Sequence, residues 1–263
     1  MTTYHLALSV AGRLALARDE RERRVLVRAF VRASQGRFLA FNLVDDHAHA
    51  GLVSPRPRLL ARDVRRALAA VRPDLVIEAP HLKPVDTRRY LRWLVTYFLN
   101  QPMKHDLDVH PALWTGSCFP DLVGARVLPE FSTTPLRAAL PRLRVRDLFQ
   151  DVGLDPVPLQ PVDDDALLGA GAARLAELAA SAYGVGPGLL GRSGPVVKAR
   201  TLAAVLGVRL GLSRVQLSPF LTATPQAIGR LASRPVDSKG ERALRLRFAL
   251  EERVRLQVLR RPA

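Results

Sequence analysis

The largely apolar stretch from Tyr4 to Val10 reads as a strand, and residues 18 to 34 carry Val25, Val27, Phe30 and Val31 among charged positions, the pattern of an amphipathic helix. Phe38 to Val44 reads as a second strand, Asp45-Asp46 as a tight turn, and His47 to Ser54 as a third strand antiparallel to it. Pro55 and Pro57 break the chain before a helix over residues 58 to 71. The apolar run Leu75-Val76-Ile77, within residues 73 to 85, predicts the fourth strand. Asp86 or Thr87 caps a further helix that runs to Gln101, where Pro102 stops it. This order suits an α+β fold, an antiparallel sheet with helices on one face.

The pattern changes near residue 155. Pro156, Pro158 and Pro161, followed by Asp163-Asp164-Asp165, mark a linker over residues 151–165 between a domain at 1–150 and an all-α domain at 166–263. Helices are expected at 165 to 183, 195 to 210, 213 to 221, 224 to 233 and 238 to 260. The last opens on Ser238-Lys239-Gly240-Glu241, a capping box in which Ser238 and Glu241 satisfy each other's amides.

Composition adds a partner. Forty Lys and Arg against 24 Asp and Glu give a formal net charge of +16, and 48% hydrophobic residues suffice for a core in each domain. All but Lys83, Lys104, Lys198 and Lys239 of the basic residues are arginine, a planar donor suited to phosphate. Such an excess calls for a polyanion, nucleic acid or an anionic membrane. No stretch nears the ~18 apolar residues of a membrane span, and the N-terminus lacks the features of a secretory signal, so no membrane partner is expected. Cys118 is the single cysteine, which excludes an internal disulfide and a cysteine zinc cluster and suits a cytoplasmic setting.

Two features carry candidate chemistry. His47-Ala48-His49 on a strand projects both imidazoles from one face, with Cα atoms about 7 Å apart, close enough to converge on one metal ion. Tyr97 and Gln101 lie one helical turn apart. A phenol can attack phosphorus, and an amide carbonyl can complete a metal shell.

The order and context of these residues resemble a family. The strand Asp45-Asp46-His47-Ala48-His49-Ala50-Gly51-Leu52 is similar to the histidine-hydrophobe-histidine strand of the HUH single-tyrosine transposases, especially the REP-associated tyrosine transposases. Leu82 to Leu91 resembles the strand and helix start that lead to the nucleophile, and Tyr97-Phe98-Leu99-Asn100-Gln101 matches the Tyr-x-x-x-Asn/Gln motif. Val109 to Ser117 is similar to the segment ending in Trp-x-Ser-Ser, followed by Asp121-Leu122-Val123-Gly124. The likeness covers about residues 4 to 150, with Asp46, Ala50 and Gly116 departing from the usual residues. It implies an HUH/ferredoxin-like sheet and metal-dependent cleavage and rejoining of single-stranded or hairpin DNA. Tyr97 would be the nucleophile, forming a 5′-phosphotyrosine, and His47, His49 and Gln101 would hold Mg²⁺ or Mn²⁺. A catalytically inactive or domesticated sequence-specific DNA-binding regulator is the alternative, and monomer and homodimer both stay open.

Ala176 to Tyr183, Gly184-Val185 and then Lys198-Ala199-Arg200-Thr201-Leu202-Ala203 in the second domain resemble the helical DNA-binding domain of the DnaA and Trp-repressor type. Leu212-Ser213 opens a short helix containing Pro219, Leu221-Thr222-Ala223 forms a turn, and Thr224-Pro225-Gln226 starts a candidate recognition helix. Gln226, Arg230 and Arg234, with Lys198 and Arg200, are the expected DNA contacts. His5, His81, His105 and His110 are read as strand, surface or packing residues.

Overall fold

A computed structural model describes residues 2–259; position 260 of the expected last helix lies outside them. Two compact units divide the chain. One contains the residues up to Val123 together with Leu128–Pro158, and the other contains Gly124–Val127 and Leu159 onward. The break after Pro158 falls inside the proline-rich linker.

In the first unit, β1 (Thr3–Ser9) is followed by α1 (Glu20–Ala33), β2 (Phe38–Leu43), β3 (His47–Val53), α2 (Pro57–Val71), β4 (His81–Val85) and α3 (Arg88–Leu99). The four strands form an antiparallel sheet in the order β2-β3-β1-β4. Period-two alternation sorts the side chains. Leu6, Leu8, Phe41, Ala48, Ala50 and Leu52 are buried, and the Phe30 ring of α1 packs 4.7 Å from Phe38 and 6.2 Å from Phe41. The opposite face of β3 carries His47, His49 and Gly51. There α3 packs: its Phe98 and Leu91 lie within van der Waals reach of the Cβ position of Gly51. Asn42, cross-strand from His49 and fully buried, donates its amide to the Phe98 carbonyl at 2.5 Å. The expected antiparallel sheet with helices is thus present, with α3 added on the second face.

Two local expectations are corrected. Leu75 and Ile77 are buried but make only the Val10–Ile77 bridge, and the fourth strand is the more exposed His81–Val85. It is an edge strand, so it needs no continuous apolar run, and it accommodates Pro84. Pro102 does not stop the chain's helical course: α3 ends at Leu99 and α4 (Gln101–Lys104) begins at once with Pro102 in its first turn, where a missing N–H costs nothing. Thr87, as expected, caps α3 by accepting from Tyr90 N.

The outer edge of β2 is sealed by the chain's own segment 114–118. Leu43 N donates to Gly116 O at 3.0 Å, Cys118 N to Phe41 O at 3.1 Å, and Trp114 Nε1 to Leu43 O at 2.7 Å. Short helices α5 (Phe119–Leu122), α6 (Thr134–Ala139) and α7 (Val145–Asp151) follow. A bidentate Arg92–Asp151 pair ties α7 to α3.

The second unit is all-helical: α8 (Asp164–Ala182), α9 (Gly194–Arg209), α10 (Arg214–Leu221), α11 (Pro225–Ala232) and α12 (Ser238–Leu259). Asp163 caps α8, which kinks at Gly171, where φ is 77°. Gly207 and Gly240 bring helices close, since an added Cβ would meet Leu217 at 2.7 Å and the Tyr183 hydroxyl at 1.9 Å. A Ser213–Gln216 capping box starts α10, which continues through Pro219 to a left-handed Thr222, and Thr224 caps α11. The capping box expected at Ser238 gives way to Asp237, whose carboxylate accepts from Lys239 N. Glu241 is drawn instead to Arg209 and Arg245, because a guanidinium pair outweighs a single amide.

Candidate active site

β3 and α3 set the site. His47 and His49 project from the same face of β3, with ring centroids 4.6 Å apart, and α3 lies across that face. Tyr97, two residues before the α3 end, brings its hydroxyl to 3.4 Å from His49 Nε2. His49 stacks on Phe98 at 5.7 Å, so the residue after the candidate nucleophile forms the floor under the candidate ligand. The Asn42 bond to the Phe98 carbonyl fixes this last turn of α3 to the sheet.

Two histidines join that sequence reading did not place here. His5 Nε2 lies 3.1 Å from His49 Nδ1, and the His105 ring stands 4.9 Å from His47. Both nitrogens of His49 therefore face partners, and a single tautomer donates at one and accepts at the other. His49 is only 7% exposed. Burial first, and then the nearby His47, His5, His105 and Lys104, push its pKa down to about 2; burial likewise lowers His5 to about 4. Both rings are neutral at physiological pH. Next to them, His47 Nδ1 meets Asp46 Oδ1 at 2.6 Å. Burial raises the Asp46 pKa, but the hydrogen bond and charge of His47 outweigh it and the net shift is downward. Asp46, noted in the sequence as a departure, thus orients a histidine.

Two imidazoles of a candidate metal donor set, His47 and His49, have ring centroids 4.6 Å apart. Among the described residues no three His, Cys, Asp or Glu side chains form a group that could hold a metal, so an ion needs a third ligand of another kind. Gln101, the ligand the resemblance implies, is 2% exposed, and its amide nitrogen donates to the Tyr97 carbonyl at 3.1 Å, so its oxygen is the atom it has to offer an ion. On His47 the carboxylate holds Nδ1, the outer-shell arrangement that presents Nε2 to a metal. The 3.4 Å Tyr97–His49 contact is long enough for an ion to displace.

Tyr97 itself is clamped. Trp93 stacks on its ring at 5.1 Å and 18°, and Lys104 Nζ sits 4.4 Å over it. Elsewhere, His110 caps a 3-10 turn through Ala112 N, and His81 is an exposed residue of β4.

In the helical unit Gln226, Arg230 and Arg234 are exposed on and just after α11, and Lys198 shares with Arg234 the lining of a cavity of about 270 Å³. Arg200 departs from the expectation. Its guanidinium donates to the carbonyls of Leu189 and Gly191, holding the loop before α9. Among the described residues no helix is long and apolar enough to cross a membrane. No family model, no curated protein and no solved structure matches the chain.

Proposed function

We propose that this chain is a metal-dependent DNA strand transferase that cuts and rejoins single-stranded or hairpin DNA through a 5′-phosphotyrosine, the activity its resemblance to HUH single-tyrosine transposases implies. The observation that carries the reading is the approach of the Tyr97 hydroxyl to His49, beside His47, from elements far apart in sequence.

The Tyr97 oxygen bonds to the scissile phosphorus and the displaced fragment leaves with a free 3′-hydroxyl. Attack by another 3′-hydroxyl reverses the step and joins new ends, so no nucleotide cofactor is needed. Trp93 and the Asn42-anchored turn of α3 restrict the phenol to one orientation, which lowers the entropic cost of attack. His47, His49 and the Gln101 oxygen would hold Mg²⁺ or Mn²⁺; two imidazoles suit manganese better than magnesium. The bound ion supplies charge neutralisation at the phosphate. Gln226, Arg230, Arg234 and Lys198 are the contacts through which the helical unit would hold duplex or hairpin DNA, in a cytoplasmic setting.

Incubation with labelled single-stranded DNA and Mn²⁺ or Mg²⁺, followed by denaturing electrophoresis, tests this. Wild type should yield a covalent adduct and Tyr97→Phe none. No adduct with either metal, or an adduct on Tyr97→Phe, overturns the chemistry. Salt-sensitive DNA binding without an adduct is the outcome of an inactive regulator.

A further inference from the structure

The α3 helix carries a second feature, of which only the Trp93–Tyr97 contact bears on the strand-transfer chemistry. Tyr90, Trp93 and Tyr97 recur at i, i+3 and i+7, and their rings form a ladder: Tyr90 on Trp93 at 5.7 Å and 14°, Trp93 on Tyr97 at 5.1 Å and 18°. Trp93 is 53% exposed, whereas Trp114 is 3% exposed. Lysines stand at both ends, Lys83 Nζ 5.2 Å from the Tyr90 ring and Lys104 Nζ 4.4 Å from Tyr97. Between Leu82 and His105 the chain has five basic side chains and one acidic, Asp86. Of the five, Arg92 is committed to Asp151, while Arg88 and Arg89 are exposed in the first turn of α3.

We propose that this ladder is a docking track for single-stranded polynucleotide, with bases packed against the exposed rim of the Trp93 indole, whose faces lie toward Tyr90 and Tyr97, and phosphates held by Lys83, Arg89 and Lys104. An exposed flat aromatic flanked by cations fits a chain of anions bearing flat bases; an acidic peptide would use the cations and leave the indole unused. The proposal rests on Tyr97 being the nucleophile, because the track then delivers the strand to it.

The indole is its own reporter, since the other tryptophan is buried. Binding is measured with Tyr97→Phe protein, which keeps the ring and removes the hydroxyl, by fluorescence titration with oligothymidylate, the corresponding duplex and polyglutamate. Oligothymidylate should quench Trp93 emission, and the duplex and polyglutamate should quench far less. Trp93→Ala, read by anisotropy of a labelled oligonucleotide, should weaken binding roughly 10-fold or more. Trp93→Phe should stay within about 3-fold, and both should keep the parental salt slope because no charge changes. Lys83→Ala should reduce that slope. Unquenched emission at saturating oligonucleotide, equal quenching by polyglutamate, or wild-type affinity for Trp93→Ala overturns the track. The two readings separate cleanly: an adduct without quenching removes the track and keeps the chemistry, and quenching without an adduct does the reverse.

Discussion

Gly116→Ala places a methyl group where the structure has no room for it. An ideal Cβ there falls 2.1 Å from the Leu43 carbonyl oxygen and 2.5 Å from Trp114 Nε1, well inside the 3.0 Å below which something must shift. Two hydrogen bonds pass through this point, Leu43 N to Gly116 O and Trp114 Nε1 to Leu43 O. Neither backbone can retreat without stretching both. Each bond contributes about 0.5–1.5 kcal/mol net, and each buried group left without a partner costs about 1–3 kcal/mol. The substitution should therefore destabilise the first unit by about 2–5 kcal/mol, a large share of the 5–15 kcal/mol typical of a domain. Urea unfolding in a Trp93→Phe background checks it, because Trp114 is then the sole tryptophan and lies in the first unit. Gly169→Ala is the contrast: it sits exposed in α8 with nothing within 4 Å of its Cβ position, and far-UV circular dichroism should record a gain of about 0.5–1 kcal/mol. A loss below about 0.5 kcal/mol for Gly116→Ala would refute the close approach on which the seal depends.

Two further outcomes concern the helical unit. Arg209 first, and then Arg245, by hydrogen bonding hold the Glu241 carboxyl below its ordinary value of 4.5 against the opposing effect of burial. A carboxylate with a depressed native pKa stabilises fully above its unfolded value and loses that contribution as pH falls through the native one. Glu241→Gln should lower the melting temperature at pH 7, and the difference from wild type should vanish in acid; a difference that persists in acid contradicts this. Arg230→Ala with Arg234→Ala should leave melting unchanged and reduce the salt slope of duplex binding by about one per lost phosphate contact, checked by anisotropy across salt concentrations.

The legible part of the fold is the part that periodicity determines. Short apolar stretches set off by turn residues located β1, β2 and β3, and the helical period located α1, α2, α3 and the helices of the second unit to within a few residues. Leu75-Val76-Ile77 misled because an apolar run reports burial, not pairing, while the true edge strand at His81–Val85 is exposed and carries a proline. Pro102 misled because a proline that ends one helix equally suits the first turn of the next. At the site, spacing paired His47 with His49 on one strand, and it paired Tyr97 with Gln101 as if on one helix, although the structure places them in α3 and α4. The approach of His5 to His49 depends on the β1–β3 register, in which Ala7 faces His49 and His5 faces Gly51, and that pairing is not written in either strand alone. His105 arrives through the restart of the helix at Gln101, so misreading Pro102 also hid it. The aromatic ladder was visible as spacing at Tyr90, Trp93 and Tyr97, but only the structure separates an exposed Trp93 from a buried one.

The two borders of the sheet bear on how copies of this chain can meet. One border, β2, is occupied by residues 114–118 of the same chain, and the other, β4, presents Lys83 and Pro84, residues that discourage a further strand from adding. Continuous sheets running from copy to copy are closed off at both ends. A substitution that lifts residues 114–118 away from β2 would open one edge, through which two copies could pair strand to strand, while β4 would stop the sheet from extending further.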